Sequence, residues 1–181
     1  GPGRHGQNRR GMPAPPRGVL ARPQLLDVLD ESSRGRLTLL AAAAGYGKSV
    51  VLSVWAERRA ATGPVEWLTL RRADDDGVRL ARLLVEAMRR LSPGSSAGSH
   101  PDGAAPHPGG DDADQVMDVA LGIAEHLAGP AVLVLDDVQE VAGSPVAMAV
   151  LNRLLREASP HLHVVMASRV DPPLALSRLQ L

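Results

Sequence analysis

Apolar positions recur along this chain in two alternating rhythms. Short runs, Leu37-Thr38-Leu39-Leu40-Ala41 within 36–41, Glu66-Trp67-Leu68-Thr69-Leu70, Ala131 to Asp136 and Leu162 to Ala167, have the length of buried strands and are bounded by polar or turn residues. The segments between them are helical in pattern. Residues 48–60 follow the first run. Leu80, Leu83, Leu84, Ala87, Met88 and Leu91 share one face after Asp74-Asp75-Asp76, an N-cap signal. A helix over 114–127 stops before Gly129-Pro130. Val146, Met148, Val150, Leu151, Leu154 and Leu155 mark another over 144–158, and Leu25, Leu26 and Leu29 suit a short one over 23–31. Past that short helix, the order is β-α-β-α-α-β-α-β. It predicts an α/β fold with a mostly parallel sheet, right-handed crossovers and helices on both faces.

Two stretches fall outside these rhythms. Residues 1–18 set Arg4, His5, Arg9, Arg10 and Arg17 among Gly and Pro with no acid, which predicts a disordered leader. The chain opens on Gly-Pro-Gly, so Met12 is a candidate native start. Residues 93–113 are dominated by Pro, Gly, Ser, Ala and His, which predicts a flexible loop with solvated His100 and His107. One ordered domain is therefore expected over 19–181, in keeping with a length of 181 residues.

Composition narrows the chemistry. Twenty basic and twenty acidic residues cancel, so overall charge gives no reason to expect nucleic acid or an anionic membrane. There is no cysteine, which removes disulfides and thiolate metal sites and suits a reducing, cytoplasmic setting. No apolar run reaches the roughly 18 residues of a membrane span. The only aromatics are Tyr46, Trp55 and Trp67, so Leu, Val and Ala must build the core. His161 and His163 could share a strand face, where such a pair is more often structural than metal-binding.

The chemistry is concentrated where the first run ends, at Ala42-Ala43-Ala44-Gly45-Tyr46-Gly47-Lys48-Ser49. Strand, glycine loop and helix, with Gly-Lys-Ser at the turn, is the layout of a P-loop. Backbone N–H groups at the helix start, aided by the helix dipole, favour a phosphate. Gly45 and Gly47 permit close wrapping, Lys48 can reach the β- and γ-phosphates, and the Ser49 hydroxyl can hold Mg²⁺. The usual first glycine of the motif is Ala42 here. A second element supports the reading: the strand at 131–136 ends in Asp136-Asp137, the Walker B form. Ligands of open α/β sheets bind at the carboxyl ends of the strands, which puts the two carboxylates beside the P-loop. Asp136 would bind Mg²⁺, directly or through water, and Asp137 would sit near the attacking water.

With these motifs placed, nearly all of residues 19–181 resembles the nucleotide-binding core of MalT-type, large LuxR-family transcriptional regulators, which are STAND-class P-loop ATPases. The likeness is carried by Val19 to Leu26, by Ala44 to Leu52 with Trp55-Ala56, and by Trp67 to Leu70 with Asp74-Asp75-Asp76. It continues in Leu133-Val134-Leu135-Asp136-Asp137-Val138-Gln139 and in His161 to Leu174, which includes Ser168-Arg169-Val170-Asp171-Pro172-Pro173-Leu174. The resemblance implies a three-layer P-loop NTPase sandwich with strand order 2-3-4-1-5. It implies nucleotide contacts from Ala44, Gly45, Tyr46, Gly47, Lys48, Ser49 and Val50, and an Arg22 segment near the adenine. Arg169 matches the sensor-1 position, where a cation reads the γ-phosphate. An Ala at the start of the P-loop is common in the family. Gln139 stands where a histidine is frequent, which leaves that position without an inherited role.

The fifth strand, a winged-helix lid, a helical-repeat sensor and a helix-turn-helix would all fall beyond Leu181, so the chain is expected to be a truncated piece. The implied function is an ATP-binding switch with Mg²⁺, self-associating in its ATP state and reset by slow hydrolysis in the intact parent. DNA would be contacted only through the helix-turn-helix. Two rivals are a non-hydrolysing pseudo-NTPase interaction module, which would associate with a partner but bind no nucleotide, and a P-loop kinase, which would pass phosphate to a small acceptor.

Overall fold

The structure, a computed structural model, describes residues 26–27, 29–30, 35–41, 48–94 and 112–169, with Ala41, Lys48 and Ser49 described by their backbone alone. The expected leader, most of the 93–113 loop, Arg22, Ala44 to Gly47 and everything past Arg169 lie outside the described residues. The described elements run β1 (Leu37–Ala41), α1 (Lys48–Ala60), β2 (Val65–Thr69), α2 (Gly77–Leu91), α3 (Ala113–Glu125), β3 (Ala131–Asp136), α4 (Pro145–Glu157) and β4 (Leu162–Ser168). All strand pairs are parallel, and their order across the sheet is β2-β3-β4-β1. That is the expected 2-3-4-1 sequence, and the elements fall within one or two residues of their sequence-based bounds. Of the expected 23–31 helix, residues 26, 27, 29 and 30 are helical.

Local chemistry fixes the helix starts. The acidic triplet divides its work. Asp76 is the N-cap of α2, its Oδ1 accepting from the N–H groups of Val78 at 2.8 Å and Arg79 at 3.2 Å. Asp74 is instead fully buried, accepting from the Arg71 N–H at 2.9 Å and from Arg79 Nε at 3.0 Å. A buried carboxylate without such donors would be very costly, so these two bonds fix the path of the turn that leads from β2 into α2. Ser144 caps α4 through its Oγ, which accepts from the Ala147 N–H at 3.2 Å, with Pro145 in the first turn. The same Oγ donates to the Asp75 carbonyl at 2.6 Å and so ties the two turns together.

Strand alternation sorts the core into two layers. One face carries Leu68, Leu133, Leu135, Val164 and Met166 against α2, α3 and α4. The other carries Trp67, Val132, Val134, Val165 and Ala167 against Leu52, Trp55 and Ala56 of α1. Both tryptophans are therefore in the thinner, α1-side layer. Each finds a polar partner for its indole N–H: Trp55 donates to Asp30 at 2.9 Å and Trp67 to Thr69 at 3.2 Å.

His163 of β4 is buried and structural. Its Nδ1 donates to the Gly35 carbonyl at 2.5 Å, which leaves Nε2 to accept the Thr38 hydroxyl at 2.8 Å. Burial lowers its pKa below the ordinary imidazole value, and the nearby Arg59 charge adds to that, against an opposing pull from the Gly35 carbonyl. The neutral ring thus joins β4 to β1 and to the turn before it.

Candidate functional site

The strand registers align the four carboxyl ends. Ala41 is level with Ser168, Leu135 with Met166, and Thr69 with Asp136. One step on from the Leu135–Met166 pair, Asp136 lies opposite Ala167, which is itself level with Leu40. Two strand spacings, roughly 9–10 Å, therefore separate the end of β1 from the end of β3.

Alternation also decides the face. Val132 and Val134 point into the α1 layer, so Asp136, two residues further, points the same way. Lys48 and Ser49 open α1 on that face, at the end of the helix nearest the strand termini, and Val50 follows half-buried. The helix N-terminus and the Asp136 carboxylate therefore share one face and one edge of the sheet. The intervening loop, Ala44 to Gly47, and Arg22 lie outside the described residues.

Asp136 is 7% exposed, and one carboxylate oxygen accepts the Asp137 N–H at 2.9 Å. Asp137 leaves the strand with φ 56° and ψ 42°, the left-handed region. Asp tolerates that conformation better than most residues, and here it ends the strand abruptly and opens a short 3₁₀ turn, Val138–Glu140. The turn brings Gln139 back over the carboxylate. Gln139 Nε2 donates to Asp137 Oδ1 at 3.0 Å, and its Oε1 accepts the Arg169 N–H at 3.1 Å. Asp137, Gln139 and the start of the Arg169 segment are thereby linked in one chain of hydrogen bonds. Sequence reasoning gave Gln139 no role. The signal that could have found it is its spacing of two from Asp137 across a turn.

Beside this linkage, a polar cleft of about 550 Å³ is lined by Arg72, Asp75, Gln139, Glu140, Gly143 and Ser144. A cavity of about 660 Å³, near Pro130, His161 and Gly35, lies at the opposite, amino end of the strands. The strand carboxyl ends carry the candidate chemistry, because ligands of open α/β sheets bind there and both acids stand at that end. Hard oxygen donors such as Asp136 and a serine hydroxyl suit Mg²⁺, which is usually held by one or two protein ligands plus phosphates and water. Among the described residues no cluster of three or more His, Cys, Asp or Glu could hold a metal by itself.

Comparison with known proteins gives the same picture. The chain is 32% identical over 172 residues to the serine/threonine-protein kinase PknK of Mycobacterium tuberculosis, covering 93% of this chain and 15% of that protein. It is 29% identical over 168 residues to the HTH-type transcriptional regulator MalT of Cronobacter sakazakii, covering 90% of this chain and 17% of that one. The chain thus spans only about a sixth of these relatives. Among solved structures, the Aeropyrum pernix ORC1 protein in complex with DNA superposes with a TM-score of 0.56 at 20% identity, over 83% of this chain and 39% of that one. The ADP form of Aeropyrum pernix ORC2 gives 0.54 at 14% identity, over 87% and 44%. At such identities these two matches speak for the fold alone. Residues 21–167 match the AAA ATPase domain family, and with the parallel sheet and the strand-end acids described above, this chain belongs to that family.

Proposed function

We propose that this chain is the ATP-binding switch domain of a signal-responsive, LuxR-type transcriptional regulator of the STAND class. The observation that supports this most is the placement of Asp136: buried, at the carboxyl edge, on the sheet face that α1 covers and at the end where Lys48 and Ser49 begin that helix. The regulator part of the reading rests on the similarity to MalT.

In this reading Ala44 to Gly47, with Val50, would contact the triphosphate of ATP, Lys48 would neutralise its β- and γ-phosphates, and the Arg22 segment would serve the adenine. Ser49 and Asp136 would hold Mg²⁺, which would supply neutralisation of the phosphate charge. Hydrolysis is a single displacement. The water oxygen bonds to the γ-phosphorus while the β–γ bridging P–O bond breaks, ADP leaves with that electron pair, and the Asp137 carboxylate accepts the water proton. Arg169 faces the charge that develops on the γ-phosphoryl oxygens.

Turnover is slow in a switch, and the bound state carries the signal. ATP favours a self-associating form in the cytoplasm and hydrolysis resets it. A coupling of about 1–3 kcal/mol is enough to move a poised equilibrium. DNA is contacted by a helix-turn-helix belonging to the longer parent. The test is direct: titrate Mg-ATP into the wild-type chain and into Lys48→Ala. Loss of a charge-assisted contact worth about 1.5–3 kcal/mol lowers affinity roughly 10- to 100-fold. Equal affinities would remove the basis of the proposal.

A further inference from the structure

We infer that Gln139 is a positioning residue that sets the base, Asp137, and the γ-phosphate reader, Arg169, in register with each other. The inference rests on the roles proposed above for those two residues. Its own foundation is geometric. Asp137 leaves β3 in the left-handed conformation, and nothing in the strand ladder fixes its side chain. Arg169 follows the last residue of β4 and is exposed. Neither strand by itself determines how the two groups sit relative to a substrate. Gln139 spans them, donating to the Asp137 carboxylate at 3.0 Å and accepting from the Arg169 N–H at 3.1 Å.

The chemistry of the partners dictates the residue type. A carboxylate can only accept and a backbone N–H can only donate, so the bridging side chain must offer one donor and one acceptor at once. That requirement also fixes the amide orientation, with nitrogen toward Asp137 and oxygen toward Arg169. Glutamate supplies no donor and adds a like charge beside Asp137. Leucine supplies neither group. Neutral histidine supplies both. In the hydrolysis step written above, the amide holds the carboxylate oxygen through Oδ1 and leaves the other oxygen to receive the water proton. A base misplaced by about 1 Å can cost on the order of 100-fold in rate, so a bridge of this kind has a measurable effect.

The test compares wild type, Gln139→Leu, Gln139→Glu and Gln139→His in three measurements: the dissociation constant for Mg-ADP, that for Mg-ATP, and the single-turnover hydrolysis rate at saturating Mg-ATP. Retained Mg-ADP affinity shows that each variant is folded at the site. The expected result is a rate lowered at least about tenfold in the Leu and Glu variants, with a reduced preference for ATP over ADP and with recovery of both in the His variant. A Leu variant with wild-type rate and preference overturns the inference. So does a His variant as impaired as Leu, or a wild-type chain that binds Mg-ATP with no detectable turnover. A wild-type chain that binds no Mg-ATP removes the proposed function itself, and the wild-type isotherm alone distinguishes that failure.

Discussion

Among the described residues, Asp137 is the only non-glycine with positive φ, and it is also the acid proposed to receive a proton. Backbone and chemistry make separate demands at this position, and substitutions can part them. Asn keeps tolerance of the left-handed region and can still accept from Gln139, so Asp137→Asn should fold nearly as well as wild type while losing hydrolysis. Val is β-branched and disfavours that region, so Asp137→Val should cost ~2 kcal/mol of stability in urea unfolding. Equal stability of the two variants would show that the left-handed turn places no demand on the side chain. Asp136 differs in kind. It continues the strand and faces the α1 layer, so Asp136→Asn should leave the fold intact and weaken Mg-dependent ATP binding, read by titration with and without the metal.

At the scale of elements, caps and one buried imidazole hold the pieces in place. Asp76→Ala removes the acceptor for two N–H groups of α2 and should cost ~1 kcal/mol, measured by urea denaturation. His163 gives a pH dependence whose sign follows from its burial. Its pKa is lowered in the folded chain, so the unfolded chain binds more protons below about pH 6.5. Stability is therefore unaffected by this group above that pH and declines as acid is added below it. Denaturant midpoints from pH 8 to pH 5 should show the decline in wild type and a shallower one in His163→Gln. A slope unchanged by the substitution would assign the acid sensitivity elsewhere. The periodicity of 48–60, 80–91 and 144–158 made these helices legible. Which residue of the acidic triplet caps and which is buried was not, because all three precede the helix and only the folded path of the turn brings Asp74 inward onto the Arg71 N–H and Arg79.

At the scale of the molecule, two cores share one sheet. The tryptophans lie in the α1-side layer, while most of the helical mass packs on the other face. Because β3 and β4 are buried from both sides, neither layer can open without the other. Tryptophan fluorescence and far-ultraviolet circular dichroism should therefore report one coincident unfolding transition, and separated midpoints would mean the layers unfold independently. Binding acts at this scale as well. Mg-ATP at a hundred times its dissociation constant should stabilise the fold by about 2.7 kcal/mol, and hence raise Tm by roughly 5–10 °C in a chain of this size. Lys48→Ala should abolish the rise at the same ligand concentration.

The linear pattern by itself determined the elements, their β-α alternation and the P-loop and acid motifs, because each depends on local periodicity and on residues contiguous in the chain; the order of the strands across the sheet came from the family resemblance. It could not determine which neighbours the strand-end groups would meet. That Asp136 shares a face with α1 follows from strand register, and that Gln139 joins Asp137 to Arg169 follows from a left-handed turn laid against the end of β4. Both relations connect residues through space across a sheet, and only the folded arrangement of its strands brings them together.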